Sequence, residues 1–472
     1  MKIRDLFAGA LSVGLALPAF AASPDAPAID GRHLGLTWMI PFAGILLSIA
    51  ILPLVAPSFW HHHFGKVSAG WATLIVIPFA MIHGVPSAVY EIIHLLLLDY
   101  IPFIVLLLAL FTVTGGIHIR GNLHGSPSMN TALLAIGTVL AGWMGTTGAS
   151  MLLIRPMIRA NDDRRHKIHV FVFFIFLVSN IGGALTPLGD PPLFLGFLKG
   201  VSFFWTTTHL FAEMLVCAIA LLALFYAIDS YWYRQEGHKK PDPTPETPVR
   251  IEGGVNIILL AMIVGAVLAS GTWNPGIHFT IFHVTLELQN VLRDLALVAI
   301  CFLSLRLTSR KSRSDNGFSW GPMLEVAKLF AGIFITIAPA IAILKAGKDG
   351  ALAPLVALVT NPDGQPNDIW YFWLTGILSS FLDNAPTYLV FFNLAGGNAE
   401  ILMGTLASTL AAISCGAVFM GANSYIGNAP NFMVKAVVEE AGIRMPSFFG
   451  YMAWSSAILL PLFVVLTFVF FR

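Results

Sequence analysis

The sequence predicts an all-α membrane protein that crosses the bilayer many times. Of its 472 residues, 57% are hydrophobic and 11% are charged, whereas about 25% are charged in an ordinary globular protein. The mean hydropathy is +0.79, and apolar runs of about twenty residues, long enough for a helix to cross a bilayer, recur along the chain. The net charge of +1 gives no reason to expect nucleic acid, so the partners we expect are the lipid bilayer and small solutes.

The N-terminal residues 1–21 are predicted to form a secretory signal peptide. Lys2 and Arg4 provide a charged start, residues 7–17 are apolar, and residues 19–21 form a small–x–small cleavage signal. The alternative is an uncleaved first helix, but the apolar run is short for a bilayer-spanning helix. In either case we expect a Gram-negative-type bacterial inner membrane and a periplasmic mature N-terminus.

Two interruptions with the same pattern divide the chain into halves. Residues 179–192 read SNIGGALTPLGDPP, and their glycines and prolines break the flanking apolar helix. Such a break at membrane depth requires cover by protein or a water-filled cavity. Residues 421–430 read GANSYIGNAP, which places Asn428 opposite Asp190, 238 positions earlier. We therefore predict two structural repeats.

The first repeat, residues 34–229, contains crossing helices and two interrupted elements. Residues 130–160 are apolar but interrupted at residues 145–148, and each side is too short to cross, so they predict a re-entrant hairpin. A broken transmembrane helix at residues 168–199 follows. The other crossing segments predicted in this half are 34–55, 67–83, 96–116 and 209–228.

A polar, proline-rich cytoplasmic linker at residues 230–252 leads into the second repeat, residues 253–472. This half repeats the order, with a re-entrant hairpin at 369–398 and a broken helix at 401–440. Its other predicted crossings are 254–270, 291–307, 323–344 and 450–471, which gives ten crossings and two hairpins for the whole chain.

The distribution of basic residues predicts that the two halves are inverted. With the N-terminus outside, the inside segments hold most of the loop Lys and Arg, whereas outside loops hold few, such as Lys345 and Lys348. The first hairpin then enters from the inside and the second from the outside. Thr146 and Asp383, 237 positions apart, take matching places in them. The five inside segments are 61–66, 118–130, 155–167, 233–250 and 306–313.

Two acids inside apolar segments are the main functional candidates. An Asp at the centre of a membrane helix costs about 2.5–3.5 kcal/mol on insertion scales, so Asp190 and Asp383 are candidates by default. The alternative is that each caps a helix. Other candidate ligands are oxygen-bearing side chains and the glycines that free backbone carbonyls: Ser179, Asn180, Gly182, Gly183, Thr186, Asn384, Thr387, Asn423, Ser424 and Asn428. For each hydroxyl, satisfying the broken backbone is an equal alternative.

Three further patterns are weaker. His209 and Glu213, spaced i, i+4, suggest a proton path or simple mutual satisfaction. The run of histidines at 61–63 is more typical of a solvated inside loop than of a metal site. Glu91 and His94 match half of a di-iron motif and have no second copy. Hydrolase and ATP-binding signatures are absent from the sequence, so we expect no enzyme and no cofactor beyond Na⁺ and H⁺ as transported or coupling ions.

The interrupted segments also carry a family resemblance. Ser179-Asn180-x-Gly-Gly followed by Gly-Asp190-Pro-Pro, together with Leu-Asp383-Asn384-Ala-Pro-Thr, resembles motifs of the ion transporter superfamily. The most similar group is its bacterial sodium–proton antiporter and citrate-permease-like members, over residues 34–472. The resemblance implies a scaffold domain that also forms a homodimer, and a mobile transport domain whose 179–180 and 383–384 regions line the ion and substrate site.

The residues favour an ion-coupled secondary transporter, most simply a sodium–proton antiporter. Asp190 and Asp383 lie in the predicted site without a Lys or Arg, and either Na⁺ or a proton can neutralise a buried carboxylate. A cation-coupled citrate or other carboxylate symporter is the rival within the class. An intramembrane metal-dependent enzyme and a passive channel are rivals from other classes. One departure from related antiporters is Thr146-Thr147, where the first hairpin often carries an acid or Asn.

Overall fold

The computed structural model describes residues 30–236 and 247–472. These residues contain twenty α-helices and two short pairs of β-strands. The predicted signal peptide and residues 237–246 of the predicted linker lie outside the described residues. The helices are α1 Ile40–Val55, α2 Pro57–His83, α3 Val85–Leu95, α4 Ile101–Thr114, α5 Pro127–Met144, α6 Thr146–Ala160, α7 Ile168–Leu177, α8 Pro191–Leu198, α9 Trp205–Gln235, α10 Val255–Thr272, α11 Leu288–Leu307, α12 Arg310–Asp315, α13 Gly321–Lys345, α14 Ala353–Leu358, α15 Asp368–Phe381, α16 Asn384–Leu394, α17 Ala399–Met403, α18 Ala407–Met420, α19 Ala429–Glu440 and α20 Phe448–Phe470.

In the described part of the chain, nine segments are long and apolar enough to cross a membrane, so the protein is an all-α polytopic membrane protein. They are Leu36–Val55, Pro57–His83, Val85–Thr114, Ile168–Leu185, Trp205–Gln235, Val255–Thr272, Leu288–Leu307, Gly321–Lys345 and Phe448–Phe470. The predicted tenth crossing, residues 401–440, is divided among α17, α18 and α19. Its longest apolar piece, Ala407–Asn423, is shorter than a full span, because α18 ends at Met420 and α19 begins only at Ala429.

Two element boundaries differ from the sequence prediction. The histidines at 61–63 lie within α2 rather than in a loop, because the helix already begins at Pro57, a residue well suited to a first turn. Helix α9 continues to Gln235, into the start of the predicted linker, because Asp229 and Glu236 are held by buried ion pairs. Strand β2, Arg250–Glu252, then pairs with β1, His118–Arg120. Strands β3, His278–Ile281, and β4, Val284–Glu287, form the other pair.

Each predicted hairpin consists of two helices separated by a sharp break. Gly145 separates α5 from α6 and has a φ of +81°, a value that favours glycine. Leu382 and Asp383 separate α15 from α16. The two broken segments that follow are covered by protein, since every residue from His169 to Asp190 and from Thr409 to Tyr425 is buried. This confirms the expectation that the breaks are shielded.

Several segments predicted to lie inside meet at one end of the bundle, around Arg164. Its side chain is fully buried and pairs with Asp229 at 2.8 Å and with Glu236 at 2.7 Å. It also donates to Gly125 O at 3.1 Å, and His169 Nε2 lies 2.9 Å from Asp229 Oδ1. This network joins the end of α9 to the loops around the first hairpin and α7.

We expect Arg164→Met to destabilise the protein strongly. The substitution leaves Asp229 and Glu236 buried without their cation, and breaking a buried pair costs about 3–5 kcal/mol. The control is Arg120→Met, which breaks the exposed pair with Glu252 and should cost no more than about 1 kcal/mol. Thermal unfolding in detergent measures both variants. Equal losses of stability would contradict this role for Arg164.

Candidate functional site

Asp190 lies at the centre of the polar site, and its carboxylate is held only by neutral donors. The residue is 1% exposed. Its Oδ1 accepts from Thr146 Oγ1 at 3.0 Å and from Asn428 Nδ2 at 3.1 Å, and its Oδ2 accepts from Asn384 Nδ2 at 2.6 Å. These donors come from the first hairpin, the second hairpin and the second broken segment. Asp190 therefore joins the interrupted elements of both halves.

Four helices begin at this point. Thr146 and Asn384 are the first residues of α6 and α16, while Asp190 and Asn428 precede the first residues of α8 and α19. Prolines in the first turns of α8 and α19 fit these starts, where a missing amide hydrogen costs nothing. The N-terminal end of a helix carries a partial positive charge, so these four ends stabilise negative charge at Asp190.

Thr186 and Ser424 hold the two broken segments in equivalent ways. Thr186 Oγ1 donates to Gly142 O at 2.5 Å and accepts from Leu188 N at 3.1 Å. Ser424 Oγ donates to Ser380 O at 2.5 Å and accepts from Ile426 N at 3.2 Å. Each residue in the Ser424 hydrogen bonds lies 238 positions after the equivalent residue in the Thr186 hydrogen bonds. These two predicted ligands therefore satisfy the broken backbone, which was the alternative interpretation.

The same offset shifts one predicted match by a single residue. Thr146 corresponds to Asn384, since both begin a helix and both donate to Asp190. The residue that matches Asp383 is then Gly145, because each precedes the first residue of its helix. The sequence comparison placed Asp383 opposite Thr146. The offset of 238 therefore applies to the hairpins as well as to the broken segments.

Glycines allow the backbone to turn tightly beside Asp190. A Cβ on Gly189 would lie 2.2 Å from Gly183 O, and a Cβ on Gly427 would lie 2.5 Å from Gly421 O. No side chain fits these distances, so both positions require glycine. Gly182 plays a packing part instead, because a Cβ there would lie 2.3 Å from Thr138 O in α5.

Asp383 and its neighbours form the second acidic part of the site. Asp383 Oδ1 accepts from Ala385 N at 3.0 Å, so it caps α16, and it directly precedes Asn384, which donates to Asp190. Thr387 Oγ1 donates to Asp383 O at 2.9 Å. Two buried amide oxygens, Asn384 Oδ1 and Asn423 Oδ1, receive no hydrogen bond from any described residue. Amide and carboxylate oxygens without donors suit a cation.

The first broken segment is linked to the second through Ser179 and Asn180. Asn428 Nδ2 lies 3.1 Å from Ser179 O and 3.3 Å from Asn180 Oδ1. Ser179 Oγ lies 2.9 Å from Ser150 Oγ. Asn180 Nδ2 donates to Asn431 Oδ1 at 2.7 Å. Sequence reasoning did not select Asn431, because it lies one turn beyond the break on an ordinary helix.

An open cavity of about 100 Å³ reaches Asp190 from one side. It lies between the tip of the first hairpin, the two broken segments, α4 and the first turns of α13. Its lining is largely apolar and, among the described residues, includes no Lys or Arg. Those that contact the polar site are Thr146, Thr147, Leu188, Gly189, Asp190 and Ala429.

The other candidates lie away from Asp190. His209 is exposed and stacks on Trp205 with ring centroids 4.4 Å apart. Glu213 Oε2 is buried and has no hydrogen-bond partner among the described residues, so mutual satisfaction of this pair is not observed. A proton path through them stays a prediction. Within residues 30–236 and 247–472, no group of three His, Cys, Asp or Glu is placed to hold a metal ion. The histidines at 61–63 and the Glu91–His94 pair therefore do not belong to such a group.

Comparison with known proteins identifies the family. A family model described as "Putative citrate transport" matches residues 31–471. The chain belongs to this family. Uncharacterised transporters of Mycobacterium bovis and Mycobacterium tuberculosis are each 26% identical over 331 residues, which cover 68% of this chain and 71% of each relative.

A third relative is named for its activity. The Na⁺/H⁺ antiporter NhaD of Halomonas elongata is 29% identical over 195 residues, which cover 37% of this chain and 39% of that protein. The family membership confirms the predicted citrate-permease-like group, so the protein is a multi-pass membrane transporter.

We expect Thr186→Val to lower stability without changing ion affinity. The variant leaves Gly142 O and Leu188 N without their partner, and an unsatisfied buried group costs about 1–3 kcal/mol. The matched control is Thr73→Val, whose exposed hydroxyl donates to Ala69 O within its own helix and should change stability by about 0.5 kcal/mol or less. Thermal unfolding measures both. An unaltered unfolding temperature with weaker ion binding would show that Thr186 is a ligand instead.

Proposed function

We propose that this transporter exchanges Na⁺ for protons across the membrane. The observation that carries the proposal is the carboxylate of Asp190, which is buried, faces a cavity and is held by neutral donors only. A carboxylate at membrane depth is costly in its charged form, and either a proton or Na⁺ removes that charge. Because one carboxylate cannot hold both, binding of one ion requires release of the other.

The oxygens around Asp190 fit Na⁺ as the transported ion. Asp190 and Asp383 supply carboxylates, Thr146 supplies a hydroxyl, and Asn384 Oδ1 is a buried acceptor without a donor among the described residues. Hard cations prefer such oxygen ligands. A lysine or arginine, which would repel a cation, is not among the described residues that line the cavity.

Two observations support alternating access between inverted repeats. Equivalent hydrogen bonds recur 238 positions apart in the two broken segments. In addition, the cavity lies beside the first turns of α13, which in the predicted orientation is the inside. At the predicted outside, Lys199 Nζ contacts Asp99 Oδ1 at 2.5 Å and joins the end of α8 to the π-helical turn at 96–100. The arrangement fits a state open to the inside, in a bacterial inner membrane.

Cation-coupled transport of citrate or another carboxylate is the second candidate. It is favoured by the family description and by the four helix N-terminal ends that meet at Asp190. In this case the acids would bind only the coupling Na⁺, and the anion would be held by amides, hydroxyls and helix ends. The negative charge of Asp190 and Asp383 makes this arrangement less favourable for an anion.

Proteoliposomes that contain a pH indicator distinguish the two candidates. We expect Na⁺ added outside to drive protons across the membrane in the wild type, with no accumulation of labelled citrate. If labelled citrate accumulates with Na⁺, and Na⁺ alone moves no protons, antiport is rejected and the carboxylate symport is supported.

The same assay tests the two acids. Asp190→Asn should abolish Na⁺-driven proton flux, because the amide cannot exchange a proton and presents an NH₂ group to the surrounding donors. Asp383→Asn should strongly reduce or abolish flux through loss of the second carboxylate. The control is Asp363→Asn in an exposed loop, which should behave as the wild type. Exchange at wild-type rates in Asp190→Asn would show that another group carries the proton.

A further inference from the structure

Asn431 is buried beneath the site, and all of its amide groups are used. Its Nδ2 donates to Gly421 O and to Ser424 O, each at 2.8 Å. Its Oδ1 accepts from Asn180 Nδ2 at 2.7 Å. The residue is 0% exposed and does not line the cavity. Asn431 can therefore affect the cavity only through the groups it bonds, and Asn180 is the one side chain among these bonds.

The orientation of the Asn431 amide follows from its partners. Backbone carbonyls only accept hydrogen bonds, so the NH₂ group of Asn431 has to face Gly421 O and Ser424 O. Its oxygen then has to face Asn180. The alternative orientation would place an oxygen against two carbonyls and an NH₂ group against an NH₂ group, which loses three buried hydrogen bonds.

This orientation fixes the next two amides. Asn180 Nδ2 lies between two acceptors, Asn431 Oδ1 and Ile175 O, the latter at 2.8 Å. Asn180 Oδ1 therefore faces Asn428 Nδ2. The same NH₂ group of Asn428 points at Ser179 O and at Asp190 Oδ1. Asn428 thus donates to Asn180, Asn180 donates to Asn431, and Asn431 donates to the two backbone carbonyls, while Asn428 also donates to the central carboxylate.

Asn431, Asn180 and Asn428 form a relay of three amides, and this relay is not repeated at the positions 238 residues away. The position 238 residues before Asn431 is Leu193, which is apolar and buried, and the position 238 residues after Asn180 is Val418. The three amides are therefore not required by the repeated fold itself. Outside the relay, the NH₂ groups of these amides meet backbone carbonyls and one side chain, Asp190, which is the group that the proposed exchange uses.

We propose that Asn431 is a positioning residue for ion binding. It orients Asn180 and, through it, Asn428, so that Asn428 donates to the carboxylate of Asp190 and holds it where Na⁺ binds. The inference rests on the proposed function, since it concerns the carboxylate for which Na⁺ and the proton compete. It predicts that Asn431 controls ion affinity although it contacts neither the ion nor the cavity.

Two variants of Asn431 and one control test this role. Asn431→Leu copies the residue of the first repeat and releases the amide of Asn180. Asn431→Asp keeps the size and restores part of the relay only when its carboxyl is protonated, because the charged form faces two carbonyls. Asn393→Leu is the control, as Asn393 is a buried amide in α16 that bonds within its own helix and is not connected to Asp190.

The readout is the Na⁺ concentration that gives half-maximal proton flux in proteoliposomes, measured across pH. We expect Asn431→Leu to raise this concentration about ten- to a hundredfold, the effect of one hydrogen bond to a charged group, with a smaller change in maximal flux. Asn431→Asp should approach wild-type values at low pH and diverge from them as the pH rises. Asn393→Leu should leave the concentration unchanged.

Different failures have different meanings. If the wild type shows Na⁺-driven proton flux and Asn431→Leu keeps the wild-type half-saturation, the positioning role is overturned and the proposed function stands. If Asn431→Leu does not fold, a wild-type pH profile in Asn431→Asp overturns the role. If the wild type neither binds Na⁺ nor moves protons in response to it, the proposed function and this inference fall together.

Discussion

A carboxylate buried at membrane depth has to be satisfied by neutral groups when no base is present, and the centre of this structure is built around that requirement. Asp190 is 1% exposed and has three donors, one hydroxyl and two amides. Each donor belongs to a different interrupted element. The hairpins and the broken segments must therefore keep a fixed relation to one another for the carboxylate to remain hydrogen-bonded.

The backbone around Asp190 follows from the same requirement. Helices that begin at the site place the positive ends of their dipoles there, which opposes the cost of a buried negative charge. The breaks that create these ends leave other backbone groups without partners. Thr186 and Ser424 satisfy those groups, and Gly189 and Gly427 allow the tight turns. Residues that look like ligands in the sequence thus divide into those that support the breaks and those that face the carboxylate.

Much of this arrangement could be predicted from the sequence, because breaks in apolar helices are visible as Gly and Pro and buried acids are rare. Asp190, Asn384 and Asn428 were predicted as site residues, and the structure brings them together. Thr146 was matched to Asp383 but was not selected as a site residue, and Asn431 was not selected at all. A hydroxyl or amide acquires such a role only through residues about 40 to 250 positions away. The one-residue shift of the Asp383 match has a similar cause. Only the helix starts, and not the residue types, show that Asp383 corresponds to Gly145.

The central claim is that Na⁺ and a proton compete for Asp190. The most direct test is calorimetric titration of Na⁺ into the purified protein, at one pH, in two buffers whose protonation enthalpies differ. We predict that the apparent binding enthalpy changes with the buffer in the amount expected for release of about one proton for each Na⁺ bound when the acid is protonated. We also predict that this dependence disappears in Asp190→Asn. A wild-type binding enthalpy that does not depend on the buffer, at any pH where Na⁺ binds, would contradict the competition.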